Sequence, residues 1–296
     1  MKNILLALLL ISLIPCPQLA QARLQRQIAA IAAAAHGKVA VACALTGSSL
    51  NCDLNPHAHP PMQSVFKLPL ALTALHLIEQ GRWTLDQPIR FHVSDRILPR
   101  TVSPLQDKYP NAEVDVRFGE LLRLAVAESD NAAAHVILRT IGGPQVVDRY
   151  VSSLGIRGFH LQDDEAAVHH NPELQYRNWF EPGAAVQLLQ LMAQHPPIHQ
   201  QHAALLFEWM RDTRKGPARI KGRLPAGTVV MHKPGSSGTS NGFTAAWNDI
   251  GLIKLPDGRY LAIAIFIADS TADETTRDDV IARIAKTVYD TVGATK

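Results

Sequence analysis

The chain has 296 residues, 47% of them hydrophobic and 19% charged, with a formal net charge of +3. That length and apolar content suit one large domain or two interlocked ones around a substantial core. The charge bias is too weak, and the basic residues too scattered, for a nucleic-acid partner.

The chain opens on signals for export. Met1-Lys2-Asn3 is a basic start, Ile4 to Pro15 is an apolar run, and the next stretch ends Ala20-Gln21-Ala22. The run is too short to span a bilayer, and small-x-small is the pattern of signal cleavage. Pro15, not a small residue, precedes Cys16, which argues against a lipid anchor. Residues 1–22 therefore read as a signal peptide. The mature chain is expected to be periplasmic or secreted, without membrane attachment, and to keep two cysteines, Cys43 and Cys52, for one possible disulfide.

Arg23 to His36 has helical spacing. Val39–Leu45 and Leu50–Leu54 flank Thr46-Gly47-Ser48-Ser49 and read as a β-hairpin. With Gly47-Ser48 as a two-residue turn, Cys43 faces Cys52 as a non-hydrogen-bonded pair, the class with the closer Cα spacing. A bridge there would be strained, so a disulfide and two separate buried thiols both stay open. Ser64 to Gln80 is helical with Gly81 as its stop, and Arg117–Ala127, Asn131–Ile141 and Pro182–Gln194 are further helices. The last third changes to strands: Thr228–His232, Phe243–Leu255 and Tyr260–Ala268, with Pro256-Asp257-Gly258 as a hairpin turn. A final helix over Thr276–Val292 carries Asp278 and Asp279 in its first turn, where the macrodipole favours them. Strands at both ends around a helical middle imply one sheet built from both termini. The helical segment is then an inserted lobe, with a cleft between lobe and sheet.

Three short motifs carry chemistry. Ser64-Val65-Phe66-Lys67 places a hydroxyl and an amine one helical turn apart on one face, at a helix N-terminus that favours developing negative charge. Ser129-Asp130-Asn131 lies between two helices, and Lys233-Pro234-Gly235 opens a strand. Each alone is weak, since a capping serine, a capping cluster and a plain turn explain them equally well. In this order and spacing they resemble the S-x-x-K, S-D-N and K-T-G set of the penicillin-recognising serine enzymes. Gln63–Pro69, Ser103–Pro110, Gln175–Trp179 and Thr244–Gly251 sharpen the likeness to the class A serine β-lactamases, in the extended-spectrum branch of the PER and VEB type. The resemblance runs from about Val39 to the C-terminus.

The resemblance implies an α/β (α+β) fold of the serine β-lactamase and penicillin-binding-protein kind, an antiparallel sheet flanked by helices plus an all-helical lobe. Residues 23–63 and 219–296 would form the discontinuous α/β domain and 64–218 the helical one. It also implies roles. Ser64 is the nucleophile, Lys67 an activating amine, Ser129 a proton relay and Glu165 the base for deacylation. Asn131, Lys233, Gly235 and Ser236 hold the substrate. His169 helps place the hydrolytic water, and Arg219 meets the substrate carboxylate. A second register would use Glu173 and leave Asn171 at the position of the base; Gln175–Trp179 anchors the one with Glu165. The implied partner is a small β-lactam and the expected state a monomer. No cofactor is expected, and no metal: His57 and His59, His169 and His170, and His195, His199 and His202 form no recognised ligand pattern. The rival activities are a D-alanyl-D-alanine peptidase and a non-hydrolysing penicillin-binding sensor.

The sequence departs from the family pattern at three places. Pro234 replaces a threonine whose hydroxyl helps hold the substrate carboxylate, and an edge strand would tolerate it. Val102 replaces a bulky aromatic at the cleft mouth. Asp163 and Asn178 replace an Arg/Asp pair that ties the loop carrying the catalytic glutamate, so this loop is expected to be open or rearranged.

Overall fold

The structure is a computed structural model that describes residues 17–97 and 101–293; the basic start and apolar run of the expected signal peptide lie outside them. Helix α1 (Pro17–Ala32) leads to strand β1 (Lys38–Leu45), and α2 (Lys67–Glu79) starts the helical region. There follow β2 (Pro88–Phe91), α3 (Pro104–Lys108), β3 (Val114–Arg117), α4 (Phe118–Ala127), α5 (Asn131–Ile141), α6 (Pro144–Ser153) and β4 (Phe159–His160). Next come α7 (Glu165–His170), β5 (Trp179–Phe180), α8 (Pro182–Gln194) and α9 (Gln200–Arg211). The chain closes with β6 (Val230–Ser236), β7 (Thr244–Lys254), β8 (Tyr260–Ser270) and α10 (Glu274–Gly293).

One antiparallel sheet has the order β1-β8-β7-β6, so the first strand pairs with the last, from Lys38 opposite Ala268 to Leu45 opposite Leu261. This is the sheet expected from both ends of the chain. Successive side chains of a strand point to opposite faces. On β8, Leu261, Ile263, Ile265 and Ile267 join one core with residues of α1 and α10, while Ala262, Ala264 and Phe266 join the other with residues of α2 and α8. Helices on both faces explain why β7 and β8 read as near-continuous apolar runs rather than alternating ones.

Helix α2 is buried from Lys67 to Leu75, with α4, α5, α6 and α9 packed around it. A helix apolar on every side has no face to give to water. Truncating Leu70 or Leu72 to alanine would cost about 2–5 kcal/mol, the usual range for emptying a closed core site.

Several sequence expectations need correction. Leu50–Leu54 makes no strand beyond a single bridge between Leu54 and Val41. Ser48 Oγ accepts from Leu50 N–H and Asn51 Oδ1 from Asp53 N–H, local bonds that compete with a ladder. The turn closes by Ser48 N–H donating to the Leu45 carbonyl, one residue earlier than expected, and Val41 and Leu54 exchange both backbone bonds. With no ladder bond between Cys43 and Cys52, the close cross-strand pair expected for them does not form. Their Cα atoms are 5.7 Å apart and the disulfide is formed. The third-motif strand is β6, later than the Thr228–His232 expected. Helix α10 starts at Glu274, so Asp278 and Asp279 lie beyond its first turn and serve as partners of Arg219 and Arg223 instead.

Candidate active site

Strand β6 is the sheet edge, and it carries Lys233, Pro234, Gly235 and Ser236. Ser237 N–H donates to the Ala246 carbonyl. Alternation along the ladder therefore turns residues 234 and 236 outward, away from β7. Proline thus forfeits no sheet bond at 234, as an edge position requires, and the Ser236 N–H points toward the cleft. Gly235 lies against the turn that carries Ser64. A Cβ there would meet Met62 O at 2.6 Å and Ser64 N at 3.1 Å, so only glycine lets strand and turn approach this closely.

Ser64 stands in a short 3₁₀ turn, Gln63–Phe66, that feeds α2, in place of one continuous helix from Ser64. Lys67, the first residue of α2, is wholly buried. Its ammonium donates to the Ser129 carbonyl at 2.9 Å and to Asn131 Oδ1, and it lies 3.3 Å from Glu165 Oε1. Burial lowers the proton affinity of Lys67, and the nearby carboxylates of Glu165 and Asp130 oppose that.

Ser129 has the left-handed backbone φ of 57°. Asp130 behind it is wholly buried and caps α5, its carboxylate accepting from Ala133 N–H, Leu105 N–H and Ser103 Oγ–H. This anchoring presents Ser129 to Lys233, whose Nζ donates to Ser129 Oγ at 3.0 Å. Lys233 is also fully buried; desolvation first, and then repulsion by Lys67, hold its proton affinity well below the ordinary lysine value. Asn131 is oriented from its other side by donating to Thr101 Oγ1 at 2.6 Å.

Glu165 opens α7 behind an Asp164 cap, whereas Glu173 of the alternative register is exposed. The loop between them is not open. Asn178 Oδ1 accepts from the backbone N–H groups of Gln162 and Asp163, its amide donates to Asp163 O, and Arg177 pairs with Asp163 at 3.1 Å. An amide and a neighbouring arginine do the work of the missing pair. Gln175 Oε1, which accepts from the Gln63 side-chain amide at 2.6 Å, fastens the loop to the Ser64 turn.

Arg219 is buried, with its guanidinium 4.0 Å over the Trp247 ring and Nε 3.1 Å from Asp278. Its other nitrogens donate to the carbonyls of Gly235 and Asn248 and to Ser236 Oγ. Arg277 also lies over Trp247, 4.7 Å from the ring. Ser64, Ser129, Asn131, Arg219, Gly235 and Ser236 line one cavity of about 200 Å³. A wider one of about 630 Å³ adjoins it, lined by Val102, Asn131, Glu165, His169 and Ser236. The structure thus brings together every residue expected at the site, His169 at the outer wall.

Of the other histidines weighed as metal ligands, His57 and His59 bracket the Glu181 carboxylate at 2.9 and 3.1 Å, and His199 and His202 lie beside Glu79. Sequence reasoning missed Thr101, Gln175 and Trp247 as supports, since only folding brings them to the motifs. It noted Asp278, but for its place on a helix.

A family model described as the beta-lactamase enzyme family matches residues 23–292. The chain belongs to this family. The enzyme is 40% identical over 236 residues to the extended-spectrum beta-lactamase PER-1 of Pseudomonas aeruginosa, covering 80% of this chain and 76% of that one. It is 32% identical to the beta-lactamase VEB-1 of the same organism, over 86% of each. Among solved structures, a beta-lactamase from Chitinophaga pinensis superposes with a TM-score of 0.87 at 37% identity, covering 91% of the enzyme and 99% of that chain. The TLA-1 extended-spectrum beta-lactamase does so with a TM-score of 0.89 at 36% identity, covering 92% and 99%. The resemblance to the PER and VEB branch and the expected fold class are both borne out.

Proposed function

We propose that this class A serine β-lactamase opens the β-lactam amide through an acyl intermediate on Ser64 and releases it with Glu165. The enzyme hydrolyses β-lactams, and antibiotic resistance is the consequence. The observation that carries the assignment of residues is the sharing of one buried ammonium, Lys67 Nζ, among Glu165, the Ser129 carbonyl and Asn131.

In this reading Ser64 Oγ attacks the lactam carbonyl and gives its proton to Glu165 through water, or to Lys67 once that ammonium has passed its own proton to Glu165. The N–H groups of Ser64 and Ser236 receive the developing oxyanion, and the approach of Gly235 to the Ser64 turn sets their spacing. Ser129, held by Lys233, passes a proton to the departing lactam nitrogen. Asn131 supports the substrate's side-chain amide. Glu165 then takes the proton of the water that attacks the acyl carbonyl, with His169 at the outer wall helping to hold that water. A carboxylate beside the acyl ester separates this reading from a D-alanyl-D-alanine peptidase.

We further propose that residues 23–63 with 219–296, and residues 64–218, act as the two lobes of the cleft, and that the chain is exported as a monomer with cleavage near Ala22. Such cleavage would trim the start of α1. No helix among the described residues is long and apolar enough to cross a membrane. Nitrocefin turnover by the purified mature protein tests the reading: rapid, complete ring opening is expected, and stoichiometric acylation without turnover would replace the hydrolase with a penicillin-binding sensor.

A further inference from the structure

The cations expected to meet an anionic substrate are engaged inside the protein: Lys233 is buried and donates to Ser129 Oγ and to the Pro234 carbonyl. Pro234 has no hydroxyl to offer. Arg219 commits four of its five N–H groups inside the protein: Nε to Asp278, both of one terminal nitrogen to the carbonyls of Gly235 and Asn248, and one of the other to Ser236 Oγ. It fixes the shape of the site and leaves little for a ligand.

We propose that Lys215 supplies the cation that meets the substrate carboxylate at the cleft mouth, and so sets the enzyme's preference for anionic β-lactams. Lys215 lines the same cavity as Ser64, Ser129, Arg219, Pro234 and Ser236. It is exposed, and its ammonium has no hydrogen-bond or ion-pair partner among the described residues. The other cation lining that cavity, Arg219, is buried and held by the protein. The backbone at Lys215 is nonetheless fixed. Gly216 has a φ of +60°, its carbonyl accepts from Arg219 N–H at 3.1 Å, and a Cβ on it would meet Pro234 Cβ at 3.2 Å and Arg219 Cδ at 3.1 Å. The glycine turn therefore rests on the proline ring and on the arginine stem. The residue that removes the hydroxyl also seats the segment that brings the lysine. The Lys215 charge is felt within the site, where it opposes protonation of Lys67.

The proposal rests on the hydrolase reading above, and its test separates the two. Kinetics are measured with a penicillin as free acid and as its carboxyl methyl ester, for the unmodified enzyme, Lys215→Ala and Lys215→Arg. Lys215→Ala is expected to raise KM for the acid about five- to tenfold with kcat nearly unchanged, the pattern of lost uniform binding at a partly screened site. The ester, which lacks the charge, should show no such rise, and Lys215→Arg should restore the acid's KM. The acid's rise should also shrink at about 1 M salt, where screening acts within about 3 Å. An unchanged KM for the acid, an equal rise on acid and ester, or a failed rescue by arginine overturns the role of Lys215 while turnover stands. Absence of turnover by the unmodified enzyme overturns the hydrolase reading and the proposal with it.

Discussion

Lys67 Nζ lies 3.3 Å from Glu165 Oε1 while donating at 2.9 Å to the carbonyl of Ser129, so residues from three distant segments meet at one nitrogen. The carboxylate has two duties there. It steadies a charge that burial disfavours and, in the proposed reaction, takes the proton of the attacking water.

Replacing Glu165 with alanine is expected to separate the two half-reactions. Acylation by a good substrate persists, deacylation slows at least about a hundredfold, the usual worth of a general base, and the acyl adduct accumulates. Intact-mass spectrometry after mixing reads this directly. Fast turnover with no adduct would assign the base to another residue, such as Glu173 of the alternative register.

The contact between Lys233 and Ser129 predicts a pH dependence. Burial and Lys67 hold Lys233 well below the ordinary lysine value of 10.5, so it loses its proton, and its charge, as pH rises through that lowered value. The kcat/KM for an anionic β-lactam should accordingly fall on an alkaline limb set below pH 10.5, since this ratio reports groups of the free enzyme. Lys233→Arg keeps its charge at every pH in this range and should move the limb upward. A limb that stays in place in a folded Lys233→Arg enzyme would assign it to another group.

Pro234→Thr tests the missing hydroxyl. Because residue 234 faces away from β7, threonine changes no ladder bond, and its hydroxyl adds a donor beside the Ser236 and Arg219 pair. A charge-assisted contact is worth about 1.5 to 3 kcal/mol, and a partly formed one should raise kcat/KM about tenfold. Unchanged or lower values on two substrates would mean that the carboxylate is held without help from this position and that the strand is adapted to proline.

The bridge between Cys43 and Cys52 closes a short loop at the edge of the sheet. On the chain-entropy account such a loop is worth about 2.5 kcal/mol. Cys43→Ser with Cys52→Ser should therefore lower Tm by about 4 °C in a chain of this size. Thiol titration of the denatured, unreduced mature protein should find no free cysteine, and two would reject the bridge.

The motifs were legible because each is local: Ser64 and Lys67 are one turn apart, Asp130 caps its own helix, and Gly235 announces a close approach. Helix α5 and helix α8 fall where the periodicity puts them, their ends marked by Gly142 and Pro182. What the sequence did not show are relations between segments. Arg219 stood out as a cation, yet its capture by Asp278 and Trp247 depends on α10 and β7 folding over it. The loop around Glu165 looked untied because its usual pair is absent; Asn178 restores the tie through backbone N–H groups, which carry no sequence signature. The hairpin arm at Leu50–Leu54 failed for the opposite reason, since Ser48 and Asn51 satisfied the backbone locally before a ladder could form.

The pairing of β1 with β8 orders events during synthesis. A chain made from its amino end exposes β1 while the whole helical region is still being added, and β1 acquires its sheet neighbour only when β8 emerges. Asp278, which steadies Arg219, comes later still. A ribosome that stops anywhere before β8 thus releases a polypeptide whose first strand has no sheet to join, and drug destruction begins only with chains that have been read nearly to the end.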